Sequence, residues 1–197
     1  TDEVVFRHLA GERNLKGQAF VMGVYPMLLD ETCFFLAADF DGENWRDDAR
    51  AFLETCRHLE LPAALERSRS GEGGHVWLFF AEALSAALAR KLGAHLLTET
   101  LERRPDVGFR SYDRFFPNQD TLPKGGFGNL IALPLQREAR LRDNTVFLDD
   151  QLAPHSDQWA FLASVGKISR DRVQAAVEAA GKRGRVMGVP LVTMEDA

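Results

Sequence analysis

The feature that most limits how this chain can fold is the run CFFLAADFD at residues 33–41. Its apolar side chains are nearly continuous rather than alternating, the pattern of a strand buried on both faces. Such a strand must lie inside a sheet that other elements cover. The run closes on two acids, Asp39 and Asp41. Side chains alternate along a strand, so residues two apart share a face, with Cα atoms roughly 6.5–7 Å apart. Two carboxylates at the end of a dry strand are costly to desolvate unless something pairs them. A hard divalent cation would supply the pairing. The competing reading is that the aspartates open a turn or cap the helix that follows, and an isolated Asp-x-Asp fits both.

The remaining pattern places elements around this strand. Residues 20–28 read as a strand interrupted by Pro26. A helix is predicted from about Asn44 to Leu59, with Trp45, Ala49, Phe52, Leu53, Cys56 and Leu59 at helical spacing and Asn44 as N-cap. Residues 63–66 read as a short strand and HVWLFF (75–80) as a second strong one. Residues 82–102 read as the longest helix, with Leu84, Leu88 and Leu92 four apart. Residues 105–128 read as loop, with Pro117, Pro123 and four glycines. NLIALPL (129–135) is predicted as a strand that Pro134 confines to an edge or an end, and TVFL (145–148) as another. A last helix is predicted from Arg170 to Ala180, capped by Ser169, with Gly181 just past its end. Helices alternate with strands in the first half, so the expected class is α+β or mixed α/β.

A chain of 197 residues suits one domain or two small lobes around one site. No apolar run is long enough to span a bilayer, and no signal-peptide pattern opens the chain, so no membrane association is expected. Thr1 begins without an initiator Met, which reads as the edge of a piece excised from a longer protein. The net charge of −5 argues against a broad non-specific grip on duplex DNA. It leaves room for a local basic groove. Basic residues cluster at Arg67 and Arg69, Arg103 and Arg104, Arg110 and Arg114, Arg137 to Arg142, and Lys182 to Arg185, although each cluster also fits a solvated face. Cys33 and Cys56 form no CxxC pair and no zinc pattern. Their apolar settings predict reduced core thiols and a cytoplasmic protein.

Two further segments carry chemistry. In SRSGEGGHVWLFF (68–80), Gly71, Gly73 and Gly74 let a backbone approach a ligand and present N–H groups to an anion. His75 shares a strand face with Trp77 and Phe79 and could touch a phosphate, as could Arg69. The same residues also fit a plain turn before a strand. SYDRFFPNQDTLPKGGFGNLIALPLQ (111–136) combines the lone acid Asp113, aromatic residues, and a Gly-rich turn with Lys124. Structureless loops beyond ~12–15 residues are usually functional or disordered. The Phe and Pro content favours an ordered, site-forming loop. Tyr112, Phe115 and Phe116 could stack on a base or fill the core.

Taken in order, Asp-x-Asp on a strand, SGxGxH leading into a strand, and then a lone acid resemble the motifs of the archaeo-eukaryotic primase superfamily. AADFDGENW, ERSRSGEGGHVWLFF, the 111–136 segment and FLDDQLAPHSDQWAFL resemble most closely the primase domain of TOTE conflict systems. The resemblance runs from about Thr1 to Arg170. It implies an α+β primase fold, with an N-terminal α/β unit packed on a C-terminal RRM-like sheet lobe and the active site in the cleft between. It also implies a DNA primase/polymerase that adds nucleoside triphosphates to a primer, or to a first nucleotide, on single-stranded or primer-template DNA. Asp39 and Asp41 match the first metal-binding motif, and His75 matches the His that contacts the nucleotide's phosphates. Asp113 matches the third carboxylate, with Asp149 in VFLDD as its rival. Two Mg²⁺ or Mn²⁺ are the implied cofactors. Arg69, Ser70, Gly73, Gly74 and Lys124 join His75 as expected nucleotide-binding residues. Many relatives carry Ser where this chain has Gly73, so a hydroxyl contact is lost or moved to Ser70. A helicase and a nuclease, in the same protein or operon, are the implied partners, in mobile-element conflict, defence or repair. Two other classes fit the acidic set: a two-metal nuclease, and a nucleic-acid-binding module that keeps the fold without catalysis.

Overall fold

A computed structural model describes residues 2–182 of the chain. The apolar run forms β2 (Thr32–Asp41), an interior strand buried from Leu36 to Phe40 as its pattern requires, although Phe34 near its start is exposed. It lies in a five-stranded antiparallel sheet, flanked by β4 (Gly73–Ser85) and β5 (Tyr112–Phe116). β3 (Ala64–Arg67) and β7 (Phe147–Leu148) continue it, giving the order β5-β2-β4-β3-β7. A two-stranded antiparallel sheet pairs β1 (Gly23–Val24) with β6 (Ile131–Ala132). The predicted strands at 20–28 and 129–135 are thus much shorter than their apolar runs suggest.

Helices α2 (Trp45–His58) and α3 (Ala86–Arg103) pack against each other and on β2 and β4. The buried side of α2 carries Trp45, Ala49, Phe52, Leu53 and Cys56, picked out by helical spacing, whereas Leu59, expected to continue it, is the C-cap just past the helix end. Phe40 of β2 packs on Phe52, with ring centroids 5.7 Å apart. Buried Thr55 and Thr100 join the two helices through a 2.9 Å hydroxyl–hydroxyl bond. α6 (Arg170–Lys182) packs on α3 and β4. Three short helices, α1 (Asp2–Ala10), α4 (Arg137–Arg140) and α5 (Gln158–Ser164), complete the described residues.

Several expectations need correction. The predicted helix 82–102 begins only at Ala86, because β4 runs on to Ser85, whose hydroxyl caps α3 by accepting from the Leu88 N–H. Leu84 is therefore a buried strand residue opposite Cys33. Asn44 precedes α2 but its side chain makes no capping bond. Within the predicted loop 105–128, residues 112–116 form an edge strand. Phe115 and Phe116 are buried, and Tyr112 packs on Phe40 and Phe115, so all three serve the core rather than an open stacking surface. Gly181 lies inside the end of α6, not beyond it. The basic group at 182–185 falls outside the described residues after Lys182. Cys33 and Cys56 are buried free thiols, and burial raises the pKa of both, that of Cys33 to about 12. No helix among the described residues is long and apolar enough to cross a membrane.

His8 ties α1 to the rest. Its ring is fully buried; Nδ1 accepts from the Met22 N–H at 3.0 Å, and Nε2 donates to the Pro134 carbonyl at 3.0 Å. The Met22 bond requires the neutral ring, since a protonated Nδ1 cannot accept. Burial, working against the raising effect of the Pro134 and Leu133 carbonyls, lowers its pKa below the usual 6.5. For a base whose folded-state pKa is depressed, the stabilisation is complete above 6.5 and is lost as pH falls through the folded value. We expect the melting temperature to drop between pH 7 and pH 5.5 by more in the wild type than in His8→Gln, which has no ring to charge; equal slopes would remove His8 from this account.

Candidate active site

β2 and β4 run side by side so that Asp39 lies opposite His75 and Asp41 opposite Gly73. The loops beyond them are pinned together: the Gly42 N–H bonds the Glu72 carbonyl at 3.2 Å, and the Ser68 N–H bonds the Gly73 carbonyl at 2.9 Å. On the other side of β2, the Asp41 N–H bonds the Ser111 carbonyl at 2.7 Å. Ser111 is itself anchored by the buried carboxylate of Asp48 on α2, which accepts from its N–H at 3.1 Å and its hydroxyl at 2.6 Å. This anchor fixes the start of β5 and thereby the position of Asp113.

The result is a cluster in which Asp39, Asp41 and Asp113 each present a carboxylate oxygen, all within 4.8 Å of one another. Asp39 is 8% exposed, whereas Asp41 and Asp113 face solvent. The Asp39 Oδ1 atom is buried and makes no hydrogen bond, its charged neighbour being His75 Nε2 at 3.4 Å. Burial and the neighbouring charges of Asp39 and Asp113 push the Asp41 pKa up, with His75 working in the opposite direction. Crowded negative charge and an orphaned buried acceptor are what a divalent cation would relieve. Hard oxygen donors suit Mg²⁺ or Mn²⁺. The residues present therefore fit a metal site. One cation already stands at the cluster: Arg114 Nε donates to Asp113 Oδ2 at 2.6 Å.

His75 lies between two acids. Its Nε2 is 3.4 Å from Asp39 Oδ1, and its Nδ1 is 3.0 Å from Glu66 Oε2. Burial disfavours the charged ring, but the neighbouring carboxylates of Asp39 and Glu66 outweigh it and raise the pKa to about 10. As the strand pattern predicts, His75, Trp77 and Phe79 line one face, with the Trp77 and Phe79 rings stacked at 6.1 Å.

The glycines answer to close packing here. A Cβ on Gly73 would come within 2.2 Å of Asp41 Oδ1 and 2.6 Å of the Phe40 carbonyl. A Cβ on Gly74 would meet the Trp45 ring at 2.6 Å. The Ser70 hydroxyl is engaged in the turn, 3.0 Å from the Ser68 hydroxyl and accepting from the Glu72 N–H at 3.2 Å. Arg69 and Lys124 are exposed and make no ion pair among the described residues. Asp149 stands apart. It follows β7 on the sheet edge opposite β5, four strand spacings or on the order of 19 Å away. Its Oδ1 accepts from the Gln151 and Ala153 N–H groups, a turn-forming role. Asp149 also lines a groove of about 350 Å³ with Arg57, His155 and Phe161, which none of the three clustered aspartates touches.

Sequence reasoning missed Glu66, Asp48 and the role of Arg114 at the cluster. A charged residue ending the short apolar strand 63–66 was the available signal for Glu66. Nothing local marks Asp48, whose partner is distant in sequence.

A mixed α/β fold with antiparallel sheets thus carries a three-carboxylate cluster beside a histidine. The chain belongs to the archaeo-eukaryotic primase domain family of TOTE conflict systems, whose family model matches residues 1–176. No curated protein matches the chain. Membership in this family points to a primase-like nucleotidyltransferase that uses nucleotides and DNA.

Proposed function

We propose that this chain is the catalytic domain of a template-directed DNA primase/polymerase, joining nucleoside triphosphates to a primer end or to a first nucleotide. The observation that carries the reading is the convergence of Asp39, Asp41 and Asp113, from two neighbouring strands, beside His75. Those carboxylates would hold two Mg²⁺ or Mn²⁺, which when bound activate the attacking hydroxyl and neutralise the triphosphate and the departing pyrophosphate. The protein's own contribution is placement. Asp39 and Asp41 are set by the β2 backbone, and Asp113 by the Asp48–Ser111 anchor. His75 offers a protonated ring edge to phosphate oxygens, a charge-assisted donor. Arg114, 45% exposed, can turn from Asp113 towards a polyphosphate. Arg69, Ser70, Gly73, Gly74 and Lys124 are the further groups assigned to the nucleotide. Single-stranded or primer-template DNA would lie along the cleft of the two-lobed family fold. A helicase and a nuclease, in the same protein or operon, are the proposed partners in a conflict, defence or repair setting.

A labelled primer-template and an unprimed template, each incubated with ribo- or deoxyribonucleotides and with Mg²⁺ or Mn²⁺, test this. We expect extended or newly made strands that depend on the template and on the metal. Shortened strands would replace the proposal with a nuclease, and unaltered strands that still bind the chain would leave a binding module.

A further inference from the structure

Glu66 is among the least exposed charged groups described, at 1%. Burying a carboxylate costs several kcal/mol even after relaxation, and an apolar residue in its place would avoid that cost. Its setting shows what the charge does. Glu66 lies opposite His75 in the β3–β4 register. A single oxygen, Oε2, meets His75 Nδ1 at 3.0 Å and accepts from Trp77 Nε1 at 2.8 Å. An ionised carboxylate only accepts, so Nδ1 carries a proton. The indole is held by Phe35 at 5.2 Å and by the stacked Phe79 at 6.1 Å. The oxygen is therefore fixed from a rigid donor, and the imidazole turns Nδ1 to meet it. That leaves Nε2 directed at Asp39, 3.4 Å away. Without this bond the ring has a second, flipped orientation open to it.

We propose that Glu66 is a positioning residue: it locks the His75 ring so that Nε2 faces the carboxylate cluster and any phosphate held there. The proposal rests on the reading of His75 as a nucleotide contact. Outer carboxylates that orient a working histidine typically matter by ~10–100-fold when removed. Glu66→Leu is expected to lower nucleotide addition within that range. Glu66→Gln, whose carbonyl oxygen can still accept from Nδ1, is expected to recover part of the loss. In a His75→Ala background neither substitution should lower the rate further, because there is no ring left to orient; losses that multiply would overturn the proposal. Nitrogen-15 and proton NMR of the His75 ring provides a readout independent of activity. A far-downfield Nδ1–H resonance is expected in the wild type, shifted upfield in Glu66→Gln and absent in Glu66→Leu. An identical resonance in wild type and Glu66→Gln also overturns the proposal, and Glu66→Gln alone decides it where the leucine variant does not fold. If His75→Ala retains full nucleotide addition, the reading of the active site fails, and the ring resonance then judges the Glu66–His75 pairing by itself.

Discussion

Asp41→Asn is expected to abolish most nucleotide addition while raising the melting temperature of the metal-free protein. The two effects have one cause. Asp41 shares a space of 4.8 Å with Asp39 and Asp113, and burial together with those charges raises its pKa above 3.8. For an acid whose folded-state pKa is raised, stability is lost as pH rises from the unfolded value through the folded one. At neutral pH the ionised group therefore works against the fold, and the amide removes that penalty. The same amide offers a hard cation a neutral carbonyl oxygen in place of a charged carboxylate, and so a weaker ligand. Removing one charged group from a preorganised site typically costs ~10²–10³-fold in rate. Primer-extension rates and thermal melts with and without Mn²⁺ measure both effects. The wild type should gain stability from the ion, and the variant should gain much less. A variant that is less stable without metal, or that extends primers normally, contradicts the cluster's assigned role.

Gly73→Ala is the second large effect, and it reaches the same group from the neighbouring strand. The added methyl would lie 2.2 Å from Asp41 Oδ1 and 2.6 Å from a backbone carbonyl, so both side chain and strand must shift. Overpacking of this kind costs ~1–3 kcal/mol. A misplacement near 1 Å in a catalytic group can cost ~10²-fold in rate. We expect a modest fall in melting temperature and a loss of activity far out of proportion to it, with metal affinity reduced in parallel. Gly181→Ala, where a methyl meets nothing within 4 Å, is the control: near the end of α6 it should keep full activity and hold or slightly raise the melting temperature. The same crowding gives a reason for glycine at position 73, where a serine would bring its Cβ against the carboxylate.

The strongest parts of the fold were legible because their physics is local. The continuous apolar run at 33–41 and the helical spacing of Trp45, Ala49, Phe52 and Cys56 are signals carried by the segments themselves. Edge strand β5 was hidden because Asp113 and Arg114 break its apolar pattern and Pro117 follows at once. Its place depends on pairing with β2 and on Asp48 holding Ser111, 63 residues away. The boundary of α3 was obscured because AEALSAALA is rich in helix formers, and pairing opposite Thr32 and Cys33 overrides that preference for residues 84–85. At the site, the strand rule put Asp39 and Asp41 on one face, but no spacing could bring in Asp113. The motif order named it through the family resemblance, and the sheet order explains its presence. Glu66 went unread because its worth lies wholly in partners on the adjacent strand.

The three clustered carboxylates differ in how firmly their strands are moored. Asp39 and Asp41 hang from a strand braced on both sides, while Asp113 rides on the outermost strand, which among the described residues has a neighbour on one side only. Two of the carboxylates are braced by a strand on each side, and the third by β2 and the Asp48–Ser111 anchor alone. If the cluster holds cations as proposed, ions of somewhat different radius would be accommodated mainly by the Asp113 side chain, without disturbing the dry interior that β2 shares with α2 and α3.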